Sequence, residues 1–226
     1  MALLTKKEKS NIYTLPFQRK AVLRNSLVES MKKWGFLGSI IIIKTNIIDG
    51  NEKLYIIDGQ HRYLAAEYLK LDINANILTC NNWSIKDLVE LVAKLNSTGV
   101  SWNNADYIKA YASLGLESYK IANELLVKCN RINISGLLSY VFSKKSIQNG
   151  TLSIDKTFKN KIIGIDSFLK EMPKISAKDI RNLYFVWELA NFNTEVFKNK
   201  YLANIKELRI LTDEQRLKIF KSWFIN

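Results

Sequence analysis

The sequence predicts an α+β protein, with a small sheet and its helices in roughly the first 82 residues and a mostly α-helical region after them. Two observations carry the sheet. Ile40 to Ile43 is an unbroken β-branched run of the kind found in strands buried on both faces, and Leu54 to Ile57 is a second run after an Asp49-Gly50 turn. A third observation carries the helices: from Trp83 onward apolar residues recur at three- and four-residue intervals almost throughout.

Leu23, Leu27, Met31 and Trp34 recur at helical spacing and Gly35 follows where a C-terminal cap belongs, so residues 20 to 34 read as an amphipathic helix. Ile73 to Thr79 supplies a further strand. Ser84, with Asp87 three residues on, opens a helix whose apolar stripe is Leu88, Leu91, Val92 and Leu95. Further helices start near Trp102, Glu117 and Ser135, and others cover 155 to 171, 177 to 191 and 194 to 208. Thr212 and Gln215 form a capping box for the last one. The looser stretch Asn149-Gly150-Thr151 reads as a hairpin or wing. A boundary near residue 82 divides the chain into 1–82 and 83–226, with net charges of +5 (12 basic, 7 acidic) and +8 (22 basic, 14 acidic).

Composition bounds the function. The chain has 226 residues and is 47% hydrophobic, enough for a core without disulfide or metal staples. Its 34 Lys and Arg against 21 Asp and Glu give a net charge of +13, which favours polyanionic partners: nucleic acid, nucleotides or an acidic protein. Cys80 and Cys129 are far apart, which excludes zinc ribbons and a disulfide framework and fits two small buried hydrophobes in a reducing cytoplasm. The first 20 residues contain no apolar stretch of signal-peptide length, and no segment approaches the ~18 apolar residues of a membrane span, so no membrane partner is expected. His61 is the one histidine, which excludes every mechanism that needs two.

The most informative stretch is Asp58-Gly59-Gln60-His61-Arg62, set where the second strand hands over to a helix beginning near Tyr63. A glycine there lets a ligand approach the backbone, and the first turn of the helix presents N–H groups with partial positive charge, which suits phosphate. His61 and Arg62 add a hydrogen-bond donor and a bidentate guanidinium, while Asp58 orients a donor or holds a divalent cation. The same residues also fit an ordinary Asp-Gly turn beside a solvated histidine. Trp102, Tyr107 and Tyr111 have the helical spacing of core residues rather than of a base-stacking platform. Lys144-Lys145 and Lys156, Lys159 and Lys161 either track a phosphate backbone or form solvated faces.

Three separated segments, Leu15-Pro16-Phe17-Gln18-Arg19, the Gly35-Phe36-Leu37 turn into Ile40 to Ile43, and Ile56-Ile57-Asp58-Gly59-Gln60-His61-Arg62-Tyr63-Leu64-Ala65-Ala66, together resemble the ParB N-terminal/sulfiredoxin-like domain over residues 12 to 80. The resemblance implies a small mixed sheet and a nucleotide held by the loop Gly59, Gln60, His61 and Arg62, with Gln18 and Arg19 as a second nucleotide-side box. Asn96, Ser97 and Thr98 stand where partition-type clamps complete their triphosphate and metal site, although the acid and arginine of that segment are replaced here. Sulfiredoxins carry a catalytic cysteine where this chain has Gln60, so sulfinic acid reduction is not expected.

The resemblance implies a cytoplasmic, nucleotide-binding and DNA-associated protein of phage or mobile-element type, either a nucleotide-dependent DNA-binding switch or a nuclease. Its expected cofactor is a nucleoside triphosphate or diphosphate with magnesium. His61, Arg62 and Asp58 are the expected catalytic residues, and Asp58 the expected metal ligand. The alternatives are phosphoryl transfer to a small molecule, or a non-catalytic inhibitor of a protein partner built on the same scaffold. A homodimer fits the family, though no heptad seam supports it.

Overall fold

The computed structural model describes residues 2–4, 9, 11–18, 20–80, 83–96, 102–172 and 175–225. The chain forms two compact units, Met1–Leu116 and Glu117–Asn226. The first is α+β, and every element described in the second is an α-helix.

Five strands build the sheet of the first unit: β1 (Ala2–Leu3), β2 (Ile12–Thr14), β3 (Ile40–Thr45), β4 (Lys53–Asp58) and β5 (Asn74–Thr79), in the order β1-β5-β3-β4-β2. It is mixed. The pairs β3/β4 and β1/β5 run antiparallel, and β3/β5 and β2/β4 run parallel. Asp49-Gly50 makes the β3–β4 turn as expected: Gly50 takes φ 81° and its N–H donates to the Asn46 carbonyl at 2.8 Å. Strands β1 and β2 were not foreseen, because two or three residues are too few to display an alternating pattern.

The β-branched run of β3 is covered on both faces. Ile42 and Ile56 pack with Val28 and Met31 of α1 (Asn25–Trp34) and Ala65 and Ala66 of α2 (Gln60–Leu69). On the opposite face Ile43, Tyr55 and Ile57 pack with Leu88 and Val92 of α3 (Ile85–Leu95). Burying each such side chain stabilises the fold by about 1.5–3 kcal/mol. Helix α3 is therefore needed to cover the sheet, and with α4 (Asn104–Ser113) it belongs to the first unit. The division expected near residue 82 falls instead at 116.

Two boundaries differ for tertiary reasons. Helix α1 begins at Asn25, not near residue 20, because Arg24 is extended and the Val22 carbonyl is engaged by the His61 ring. Leu23 is consequently exposed rather than part of the helix stripe. The expected cap at Gly35 is present, with φ 73° and its N–H donating to the Met31 carbonyl at 2.9 Å. The Ser84–Asp87 and Thr212–Gln215 capping boxes also form as anticipated.

The second unit contains α5 (Glu117–Lys128), α6 (Ile134–Phe142), α7 (Lys144–Gln148), α8 (Lys156–Lys170), α9 (Ala177–Val186), α10 (Thr194–Leu208) and α11 (Asp213–Ser222). Helix α9 stops at Val186, short of the expected 191. The stretch at Asn149-Gly150-Thr151 is a turn with no strand beside it among the described residues, which corrects the hairpin or wing. Leu152 and Ile154 beyond it are buried, and their N–H groups donate to Tyr119 Oη and Ser118 Oγ. Among the described residues no helix is long and apolar enough to cross a membrane.

Candidate functional site

The first unit holds a cavity of about 380 Å³ at the C-terminal end of β4, within the size range of small-molecule sites. Its walls are the start of α2, the segment around Phe17, Gln18 and Arg24, the end of α3 at Leu95 and Asn96, and Trp102 and Asp106. Asp58, Gly59, Gln60, His61, Arg62, Gln18 and Asn96, which the sequence singled out, all line it. Arg19, Ser97 and Thr98 lie outside the described residues.

Backbone geometry aims this corner. In the β3–β4 ladder Ile42 faces Ile56 but Ile41 faces Asp58, so Ile57 is an extra residue that bulges β4 immediately before the loop. Gly59 then turns into α2 at φ 86° and ψ 19°, a left-handed conformation disfavoured for other residues. A Cβ there would lie 2.8 Å from Ile40 Cγ2 and 3.1 Å from Arg62 Nη2. Gly38, at φ 88°, makes the other side of the same slot, since a Cβ on it would stand 3.3 Å from Arg62 Nη1. Two glycines therefore accommodate one guanidinium. Among the described residues no side chain caps the N-terminus of α2, in contrast to the capping boxes of α3 and α4, so its first turn keeps its donors toward the cavity wall.

Arg62 is held by an ion pair within its own motif, Nη2 to Asp58 Oδ2 at 2.9 Å. His61 Nδ1 lies 2.8 Å from the Val22 carbonyl, a contact that requires the proton on Nδ1. Nε2 lies 3.4 Å from Arg24 Nη2, and the Nδ1 donor is spent on the backbone. His61 thus ties the segment 22–24 to the start of α2.

Gln18 is also used structurally. Its Oε1 accepts from Leu15 N at 3.1 Å and its Nε2 donates to the Ile57 carbonyl at 3.1 Å, fastening the loop to the end of β4. Asn96 Nδ2 donates to the Val92 carbonyl at 2.7 Å. Gln60 Nε2, in contrast, is buried and has no hydrogen-bond partner among the described residues.

Sequence reasoning missed several lining residues. Trp102 was assigned to the core; it packs against the α3-side core and also lines the cavity, edge-on to Phe17 at 6.1 Å. Tyr111 is core as expected, and burial pushes the Tyr107 phenol above its ordinary range. Arg24 and Asp106 carried no local signal, since tertiary folding alone brings them to this corner. The Asp106 carboxylate accepts from Asn103 N at 2.9 Å in the α4 capping box. Cys80 and Cys129 are buried, free and outside the cavity, and burial raises both thiols.

Two cations, Arg24 and Arg62, face two carboxylates, Asp58 and Asp106, so the described walls balance in formal charge. No group of three or more His, Cys, Asp or Glu side chains forms a self-sufficient metal cage among the described residues. The donor set fits magnesium in its usual protein setting, where one or two carboxylates hold an ion that keeps waters and phosphate oxygens as its other ligands.

No family model matches the chain, and no curated protein matches it. Among solved structures it is similar to the C-terminally truncated chromosome-partitioning protein ParB from Caulobacter crescentus. The complex with CTP-γ-S is 13% identical, covering 89% of this chain and 96% of that one, with a TM-score of 0.31. The complex with the centromeric parS site is 13% identical, covering 95% and 97%, with a TM-score of 0.34. Likeness at that level assigns neither family nor function.

Proposed function

We propose that this is a ParB-like, DNA-associated protein that binds a nucleoside triphosphate or diphosphate, with magnesium, in the β4–α2 cavity. The observation that carries the reading is the uncapped N-terminus of α2, opened by left-handed Gly59 and flanked by the Arg62 guanidinium. Two of the three segments resembling the ParB/sulfiredoxin-like domain line this corner, and the +13 charge suits DNA.

In this reading the first N–H groups of α2 and Arg62 take phosphate oxygens, and Arg62 leaves Asp58 to do so. Asp58 would then be the carboxylate that holds magnesium when the ion is bound. Magnesium supplies the charge neutralisation between that carboxylate and the phosphates. Arg24 adds a second guanidinium at the rim, Gln60 offers its unpaired amide to a ligand oxygen, and Phe17 and Trp102 give the base an aromatic wall. His61 is engaged on the Val22 carbonyl and is not poised to activate water. A binding switch therefore fits the site better than a nuclease or a kinase.

The test is a thermal-shift and calorimetric panel of ATP, ADP, CTP and GTP, with and without magnesium, on the protein and its Arg62→Ala variant. At a ligand concentration one hundred times Kd a true site adds about 2.7 kcal/mol of stability. The expected result is stabilisation by at least one nucleotide, weakened at least about tenfold by chelating magnesium or by Arg62→Ala. Stabilisation by none of the four overturns the reading.

A further inference from the structure

A second surface lies in the helical unit. Tyr140 of α6 and Phe185 of α9 are 44% and 41% exposed, and their rings meet edge-to-face at 6.0 Å. The two rings form an exposed aromatic pair on this unit. The Arg181 guanidinium sits 4.6 Å over the Tyr140 ring and is anchored by Asp213 at 2.7 Å. Lys161 sits 3.9 Å over the neighbouring Tyr184 ring and is anchored by Glu188 at 2.8 Å.

The lysines separate into two groups. Lys159 and Lys161 are neutralised by Glu124 and Glu188. Lys144, Lys145 and Lys156 are exposed, and among the described residues no carboxylate pairs with them. A row of ring contacts leads from Phe142 to the exposed pair: Phe142 to Phe158 at 5.4 Å, Phe158 to Tyr184 at 5.9 Å and Tyr184 to Phe185 at 5.2 Å. Lys144 follows Phe142 by two residues and Lys156 precedes Phe158 by two, a reach of about 7 Å of chain at most. Exposed rings bordered by uncompensated cations complement a polyanion that offers flat apolar faces. Only unpaired bases offer such faces, because duplex bases are already stacked on one another.

We infer that the Tyr140–Phe185 pair is a stacking platform for single-stranded nucleic acid, with Lys144, Lys145 and Lys156 on its phosphates. The inference rests on the proposed association with DNA and is independent of the nucleotide cavity.

Fluorescence anisotropy of a labelled oligothymidine and a labelled duplex of equal length tests it, using the full chain. The Tyr140→Ala/Phe185→Ala variant is expected to bind oligothymidine about tenfold or more weakly and the duplex unchanged. Lys144→Glu/Lys145→Glu alters no packed side chain, and it is expected to lower the slope of log affinity against log salt by about 1.4. Photocrosslinking with 5-iododeoxyuridine is expected to label Tyr140 or Phe185 in the unaltered protein, whatever the stability of the ring variant. Oligothymidine binding unaffected by either variant, or crosslinks elsewhere, overturns the platform and leaves DNA association standing; no binding of either DNA overturns both. A ring variant that converts a dimer to a monomer in sedimentation, with DNA binding intact, overturns it in favour of a self-interface.

Discussion

Arg62 shows how much of a site can depend on residues that have no functional groups. Its guanidinium occupies a slot whose sides are Gly38 and Gly59, with Asp58 across the opening. Gly59→Ala puts a Cβ 2.8 Å from Ile40 Cγ2 at a φ of 86°, so the strain of the left-handed conformation adds to a steric clash. The expected cost is about 2–3 kcal/mol in a urea titration, with weaker nucleotide binding, since Arg62 must move as well. A loss under 0.5 kcal/mol would show that the slot is not tight. Asp58-Gly59-Gln60-His61-Arg62 was legible in the sequence because five polar or small residues interrupt two apolar patterns. Gly38, Arg24 and Asp106 were not, because their places in the site follow from long-range folding that no local pattern records.

Helix pairing in the second unit depends on a buried polar knot. Arg216 of α11 and Asp179 of α9, 6% and 4% exposed at the side chain, pair at 3.0 Å, and Tyr201 of α10 donates to Asp179 at 3.0 Å. Burial, reinforced by the Asp179 charge, pushes the Tyr201 phenol well above its ordinary range. A phenol whose proton is held more tightly in the folded state contributes stability that is complete below the unfolded value of about 10 and is lost as pH rises beyond it. Melting temperature is therefore expected to fall on titration from pH 9 to 11, and less steeply in Tyr201→Phe. Equal slopes would assign the alkaline loss to other groups. The long helices were legible from their stripes and caps; this knot was not, because Asp179, Tyr201 and Arg216 are far apart in sequence and each reads as an ordinary surface residue.

The whole chain is α+β as its patterns indicated, but the extent of its first unit depends on a sheet face that periodicity cannot locate. Residues 1–116 expressed alone are expected to melt cooperatively, whereas 1–82 is expected to stay open and bind a hydrophobic dye, because it lacks the α3 side chains that cover Ile43, Tyr55 and Ile57. A cooperative melt of 1–82 would return the boundary to its expected place. At the scale of the molecule the Asp58–Arg62 pair acquires another meaning. A protein of net charge +13 collects anions indiscriminately at its surface. The described walls of the cavity do not share that appetite, because at rest their carboxylates cancel their guanidiniums. In the proposed reading, free phosphate or sulfate that took Arg62 from Asp58 would leave that carboxylate uncompensated, whereas a phosphate that arrives with magnesium would bring a cation for it. Charge balance at the described walls would then sort ligands by whether they carry a counter-charge with them.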